Sequence, residues 1–222
     1  MKKRTAFPLS FWISSGVVLL FLAYVVIQYG IYRPEQGAMG GAKKQIADFP
    51  WNTWVVILYA HIVTGSLALA AGPVQFLPFA GIKRKALHRG LGKLYVGAIF
   101  LSVPAGIYLA FYATGGLAST IAFLALNAAW FAATYIGLRK VLGKNIAAHK
   151  EWMQRSYAVT LVFVTFRALL PLSSLAFGFE NGFPIGVWAA LICNLAVAEM
   201  LIRRRRKRAS QTRLHVPTVG IQ

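Results

Sequence analysis

Charge is what this sequence lacks most. Only 13% of its 222 residues are Asp, Glu, Lys or Arg, against about 25% in an ordinary soluble domain. Acid is scarcer still. Five carboxylates, Glu35, Asp48, Glu151, Glu180 and Glu199, stand against 24 Lys and Arg. Cysteine occurs once, as Cys193, which excludes an internal disulfide and leaves the redox compartment unassigned. There is no H-E-x-x-H pair, no Walker glycine loop and no G-x-S-x-G elbow, so hydrolytic chemistry is disfavoured.

What is present in quantity is apolar sequence, 58% of the chain. It falls into six runs: Leu9 to Ile31, Trp51 to Phe79, Leu94 to Ala113, Leu117 to Leu138, Ser156 to Phe177 and Pro184 to Ile202. Most are near the ~20 residues that a helix needs to cross a bilayer. None shows the ten-residue polar–apolar alternation of a barrel strand, and helices are the remaining way to satisfy a backbone in lipid. The expected fold is therefore all-α, a polytopic membrane protein with six transmembrane helices. Lys2, Lys3 and Arg4 precede the first run as they would in a secretory signal. That run is too long for a signal core of roughly 7–15 residues and no A-x-A site closes it, so a retained helix is expected.

The basic residues fall unevenly between the two sides. Twenty of the 24 Lys and Arg lie in the N-terminus, the second-to-third connection KRKALHRGLGK, the fourth-to-fifth connection and the tail. Arg33, Lys43 and Lys44 lie on the opposite side, and Arg167 falls within a helix. By the positive-inside rule both termini are cytoplasmic. The expected organisation is a cytoplasmic N-terminus over residues 1–8, a six-helix domain over 9–202 and a basic tail over 203–222. A net charge of +19 and the run RRRRKR, Arg203 to Arg208, invite a nucleic-acid reading. The run starts where the last helix ends, so it reads instead as a stop signal that also binds anionic lipids. No nucleic acid is expected. The outer connection Tyr32 to Pro50 reads as a flexible loop carrying Gly37, Gly40 and Gly41, and the tail from Ala209, including His215, as disordered.

Polar groups inside an apolar bilayer are costly, so their positions carry information. On the second helix His61, Thr64, Gly65, Ala68, Gly72 and Gln75 fall on one face at 3.6 residues per turn. In the stretch AAHKEWMQRSY and the helix that follows, His149, Met153, Ser156, Thr160, Phe163 and Arg167 share a face too, with Leu142 and Ile146 extending it upstream. Counted from the outer helix ends, His61, Asn127, Arg167 and Asn194 form a polar layer roughly 10–15 Å deep. Arg167 cannot shed its proton, and none of the five acids is placed at that depth. It bonds carbonyls and the asparagines, or it meets an anionic group of a ligand such as a heme propionate, a lipid phosphate or a quinone oxygen. At the cytoplasmic edge His88 and His149 come from different helices, with Gln75 and Glu199 nearby. Two imidazoles so placed suit the axial positions of a heme b or part of a metal site.

The strings HIVTGSLALAAGPVQF, HRGLGKLY and HKEWMQRSY, followed by FRALLPL, resemble the bacterial domain-of-unknown-function 2306 (DUF2306) membrane proteins over about Ala60 to Pro171. The resemblance implies a multi-spanning protein of the bacterial inner membrane. A more distant likeness, to the ascorbate-reducible b-type cytochromes, implies histidine pairs holding hemes. His88 and His149 match one such pair, while the outer half offers only His61. Three readings stay open: a heme-associated or redox membrane protein with a quinone or redox partner, a transporter of a small solute or proton, and a non-catalytic assembly factor.

Overall fold

The computed structural model describes residues 9–75 and 82–214. The basic N-terminus, the end of the second run at Phe79 and His215 lie outside the described residues. Among the described residues seven α-helices follow in order: α1 (Leu9–Val25), α2 (Ala38–Lys44), α3 (Trp51–Gln75), α4 (Ile82–Ala110), α5 (Gly116–Leu142), α6 (Ile146–Thr160) and α7 (Val162–Leu214). No strand occurs among the described residues. Among the described residues five stretches are long and apolar enough to cross a membrane: Phe11–Ile31, Trp51–Gln75, Lys85–Ala110, Gly116–Leu142 and Ile146–Gln211.

The last of these is not one straight rod. Gly178 has φ 75° and ψ 162°, outside the helical region, a conformation that glycine adopts without a Cβ clash. Contacts pair residues ever farther from it on either side. A Cβ on Gly182 would meet Ser173, Asn194 bonds Thr165, and Glu199 pairs with Arg155. At the far end Arg206 forks Glu151, with Nε 2.7 Å from Oε1. The fifth and sixth apolar runs thus lie as antiparallel limbs folded at Gly178.

Three expectations about connections are corrected. The basic connection KRKALHRGLGK lies within α4, which begins at Ile82, so His88 sits inside a helix rather than at its opening. Lys, Arg, Leu and Ala are good helix formers, and nothing in the stretch stops the helix at the bilayer edge. For the same reason α7 continues through the basic run to Leu214, where disorder was expected from Ala209. The connection from Tyr32 to Pro50, expected to be a flexible outer loop, holds a 3-10 turn at Pro34–Gln36 and then α2. Its glycines serve close approach, since a Cβ on Gly40 would lie 2.0 Å from the carbonyl oxygen of Pro34.

Packing follows the small-residue faces. α3 packs chiefly on α4, and α5 on α6. Ala68, Ala71 and Gly72 of α3 are buried while Val63 and Leu67 are exposed. On α5, Ala133 and Gly137 are buried, and a Cβ on Gly137 would lie 2.7 Å from the Met153 sulfur. With lipid outside, close backbone approach and dispersion hold such helices together. The outer surface is apolar, with Leu20, Val56, Leu101, Leu117 and Leu175 all exposed, as a bilayer requires.

Gly72 marks the tightest of these contacts. A Cβ there would stand 1.8 Å from Cε2 of Tyr157, whose ring is buried and whose hydroxyl donates to the Leu69 carbonyl at 3.3 Å. We expect Gly72→Ala to destabilise the protein by about 1–3 kcal/mol, the usual cost of overpacking. Thermal unfolding in detergent measures it, and an unchanged midpoint would show that Tyr157 can move aside freely.

Candidate functional site

Three of the four residues of the expected polar layer line one cavity. His61 of α3, Asn127 of α5 and Arg167 of α7 all border a space of about 480 Å³ between the helices. Asn194 does not. It accepts from Thr165 Oγ1 at 2.9 Å and donates to the Ala158 carbonyl at 3.0 Å, spending its amide on holding the Gly178 hairpin together. Along α3 the cavity is lined from Trp54 to Leu69, which is about 22 Å at ~1.5 Å per residue. It is long rather than round.

Most of the wall is apolar: Leu58, Leu126, Val159, Phe163 and Phe183 contribute, among others. Its charge is one-sided. Among the described residues Arg167 and Lys43 line it and no Asp or Glu does. Among the described residues Arg167 reaches neutral groups, with Nη2 3.3 Å from the Tyr29 hydroxyl and its guanidinium carbon 5.7 Å from the Tyr24 ring centre. No carboxylate pairs with it among the described residues. Lys43 comes from α2 and donates to the Tyr112 carbonyl while lying over the Phe49 ring. Partial burial pushes its ammonium below the usual lysine value.

His61 is held from behind. Its Nδ1 lies 3.0 Å from the Ser102 carbonyl and 2.9 Å from the Ser102 hydroxyl. A carbonyl only accepts, so Nδ1 carries the proton in that bond and Nε2 is the basic nitrogen of the neutral ring. At the floor, Trp130 Nε1 donates to Thr160 Oγ1 at 2.9 Å, and Tyr95 bridges Thr160 and Ser156 at 2.9 and 2.8 Å. Thr134 completes the set at 2.7 Å from Ser156. These hydroxyls satisfy one another across α4, α5 and α6.

Of the expected shared face, Thr160, Phe163 and Arg167 line the cavity while Met153 and Ser156 do not, and upstream Leu142 and Ile146 are exposed. His149 is half-buried, its Nδ1 2.8 Å from the Gly137 carbonyl, and it stands close enough to His88 for the two to interact electrostatically. Neither lines the cavity. Gln75 Nε2 donates to the His88 carbonyl at 3.1 Å, tying α3 to α4. Glu199 is taken by Arg155 at 2.7 Å. No group of three metal-ligating side chains occurs among the described residues.

Sequence reasoning missed Tyr29, Tyr24, Lys43 and Ser102. Ser102 was open to discovery, being a lone polar residue in the middle of an apolar run. The others were not. Tyr24 and Tyr29 resemble ordinary interfacial tyrosines, and Lys43 sits in a glycine-containing connection whose fold over the cavity has no sequence period.

The family model "Predicted membrane protein (DUF2306)" matches residues 58–202. Nothing among curated proteins or solved structures matches the chain. His61, Asn127 and Arg167 fall inside the matched segment, whereas α1, α2 and Lys43 lie before it.

Proposed function

The chain belongs to the DUF2306 family of predicted membrane proteins, and on that footing we propose that it binds an elongated organic anion inside the bilayer, at Arg167. One observation carries this reading: among the described residues, a long apolar cavity is walled by two cations and no acid, and the partners of Arg167 are neutral. A cation kept in apolar surroundings is costly, and an anionic ligand offsets that cost with charge-assisted hydrogen bonds. The ligand class is a single-chain amphiphile with an acidic head. Its head meets Arg167, with Lys43 towards the outer rim, and its tail reaches the floor at Leu69, Leu126 and Val159. Such a site suits a carrier of the anion or a sensor of it.

This reading includes a topology. Six crossings follow if the limbs on either side of Gly178 each span the bilayer, and the basic residues then put both termini in the cytoplasm of a bacterial inner membrane. Arg203 to Arg208, on the helical extension of α7, then lie against anionic lipid headgroups.

The test is a titration of the purified protein in nanodiscs with laurate and with dodecanol, which share a chain and differ in charge. Laurate binds with saturation and dodecanol does not. Equal binding of the two would remove the anion from the account. The pH dependence has a defined sign. Lys43 attracts the head only while protonated, and burial lowers its pKa. Laurate affinity therefore falls as pH rises through a range below that of an exposed lysine, and Lys43→Met flattens the fall. A profile identical in wild type and Lys43→Met would exclude Lys43 from the site.

A second reading is favoured by His149, whose Nδ1 is occupied by Gly137 and whose Nε2 is left as the ligating nitrogen. With His88 it would hold a heme b near the cytoplasmic ends of α4 and α6, and the heme would supply one-electron redox chemistry towards a quinone or protein partner. A reduced-minus-oxidised spectrum of heme-replete protein tests it. A Soret difference lost in both His88→Ala and His149→Ala supports this reading, and no band in the wild type ends it.

A further inference from the structure

Tyr29 stands beside Arg167 on the cavity wall, its hydroxyl 3.3 Å from Nη2. A guanidinium only donates, so the phenol oxygen accepts that bond and its own hydrogen points elsewhere. No acceptor for that hydrogen occurs among the described residues. An O–H in apolar surroundings is costly to leave unmatched. The tyrosine is also held in place. Tyr59 of α3 donates to the Tyr29 carbonyl at 2.8 Å, and Tyr24, five residues earlier, gives its ring face to the same guanidinium. In an α-helix, side chains five residues apart diverge by about 140°, at 3.6 residues per turn. The π-helical turn Val26–Ile31 winds more loosely, as in the bond from Tyr32 N–H to the Ile27 carbonyl at 3.0 Å, and both tyrosines reach Arg167. Such turns are frequent at functional sites.

We propose that Tyr29 is a second binding residue for the anionic head, donating its phenolic hydrogen to the group that Arg167 neutralises. This rests on the anion reading above and deepens it. Because the two side chains touch, one head group reaches both. An Arg167 N–H takes one acceptor oxygen, and the Tyr29 O–H takes the neighbouring one. The ligand class narrows to a single-chain amphiphile whose head carries two acceptor oxygens side by side, as the carboxylate of a fatty acid does. The bond from Tyr29 is charge-assisted by the ligand alone. A phenol brings no charge of its own into the bilayer, so Tyr29 adds affinity without adding to the cost that Arg167 carries.

Laurate is titrated into wild type, Tyr29→Phe, Tyr24→Phe and Arg167→Gln in nanodiscs. Tyr29→Phe weakens binding about tenfold, the scale of one hydrogen bond to a charged group. Tyr24→Phe keeps the ring face that Arg167 lies over and binds as wild type does. A second measurement reads the hydroxyl itself. With fluorotyrosine in place of Tyr29, the fluorine resonance follows the hydrogen bonding of the phenol, and it moves saturably as laurate binds. If laurate binding depends on Arg167 while that resonance stays still, Tyr29 does not touch the head. The inference is then overturned, even where Tyr29→Phe binds weakly, and the anion reading stands alone. If laurate does not bind, or Arg167→Gln changes nothing, the anion reading fails and this inference with it. The fluorinated protein keeps the hydroxyl, so it decides the matter even if Tyr29→Phe does not fold.

Discussion

Arg167→Gln is expected to weaken laurate binding about a hundredfold, or about 2.8 kcal/mol at ~1.4 kcal/mol per tenfold, and to leave the protein at least as stable as before. The two halves of this result belong together. Charge-assisted hydrogen bonds contribute about 1.5–3 kcal/mol each, and Arg167 offers a charge on the cavity wall. Its protein partners are a hydroxyl at 3.3 Å and the face of a tyrosine ring, so removing it breaks no ion pair among the described residues. Glutamine keeps an N–H for Tyr29 and sheds a charge that apolar surroundings disfavour. If the arginine instead fixed helix register, the thermal midpoint would fall in Arg167→Gln and rescue by Lys would be poor. Isothermal titration and thermal unfolding on the same preparation separate the two outcomes.

The second large effect concerns the Gly178 hairpin. A Cβ on Gly182 would lie 2.5 Å from the Ser173 carbonyl oxygen, 2.6 Å from its carbon and 2.7 Å from the Ser174 Cα. All three are backbone atoms, so no rotamer change relieves the clash. Gly182→Ala is expected to cost about 3 kcal/mol, the upper end for overpacking, and to lower the yield of folded protein. Phe179 and Phe183 flank the glycine and line the cavity, so the remaining folded fraction binds laurate less tightly. Gly97 on α4 is the control, because a Cβ there meets nothing within 4 Å. Gly97→Ala should be neutral or slightly stabilising, given the helix preference of Ala over Gly. Equal midpoints for the two variants would mean that the limbs are not pressed together at Gly182.

Much of this fold was legible in the sequence because bilayer helices obey few rules. Apolar length marked the helices, and the 3.6-residue period put His61, Ala68 and Gly72 on the protein side of α3. Counting residues from the outer ends brought His61, Asn127 and Arg167 to one depth, and these three border the cavity. Asn194 has the same depth and a different surrounding, because depth does not say which way a side chain points within a bundle. Helix ends were read worst. Charge marks where lipid stops, not where a helix stops, and both α4 and α7 continue into basic sequence. The cover over the cavity was invisible, since Tyr29 and Lys43 reach it through the π-helical turn Val26–Ile31 and the short helix α2. Such irregular pieces carry no periodic signature.

The most direct measurement is the position of the bound tail. A fatty acid bearing a diazirine near its methyl end is photolysed on the protein in nanodiscs, and the adducts are mapped by mass spectrometry. The cavity reading predicts saturable labelling at the floor, on Leu69, Leu126 and Val159, that unlabelled laurate displaces and Arg167→Gln abolishes. Labelling confined to lipid-facing residues such as Leu20, Leu101 and Leu175, indifferent to laurate and to Arg167, would contradict it.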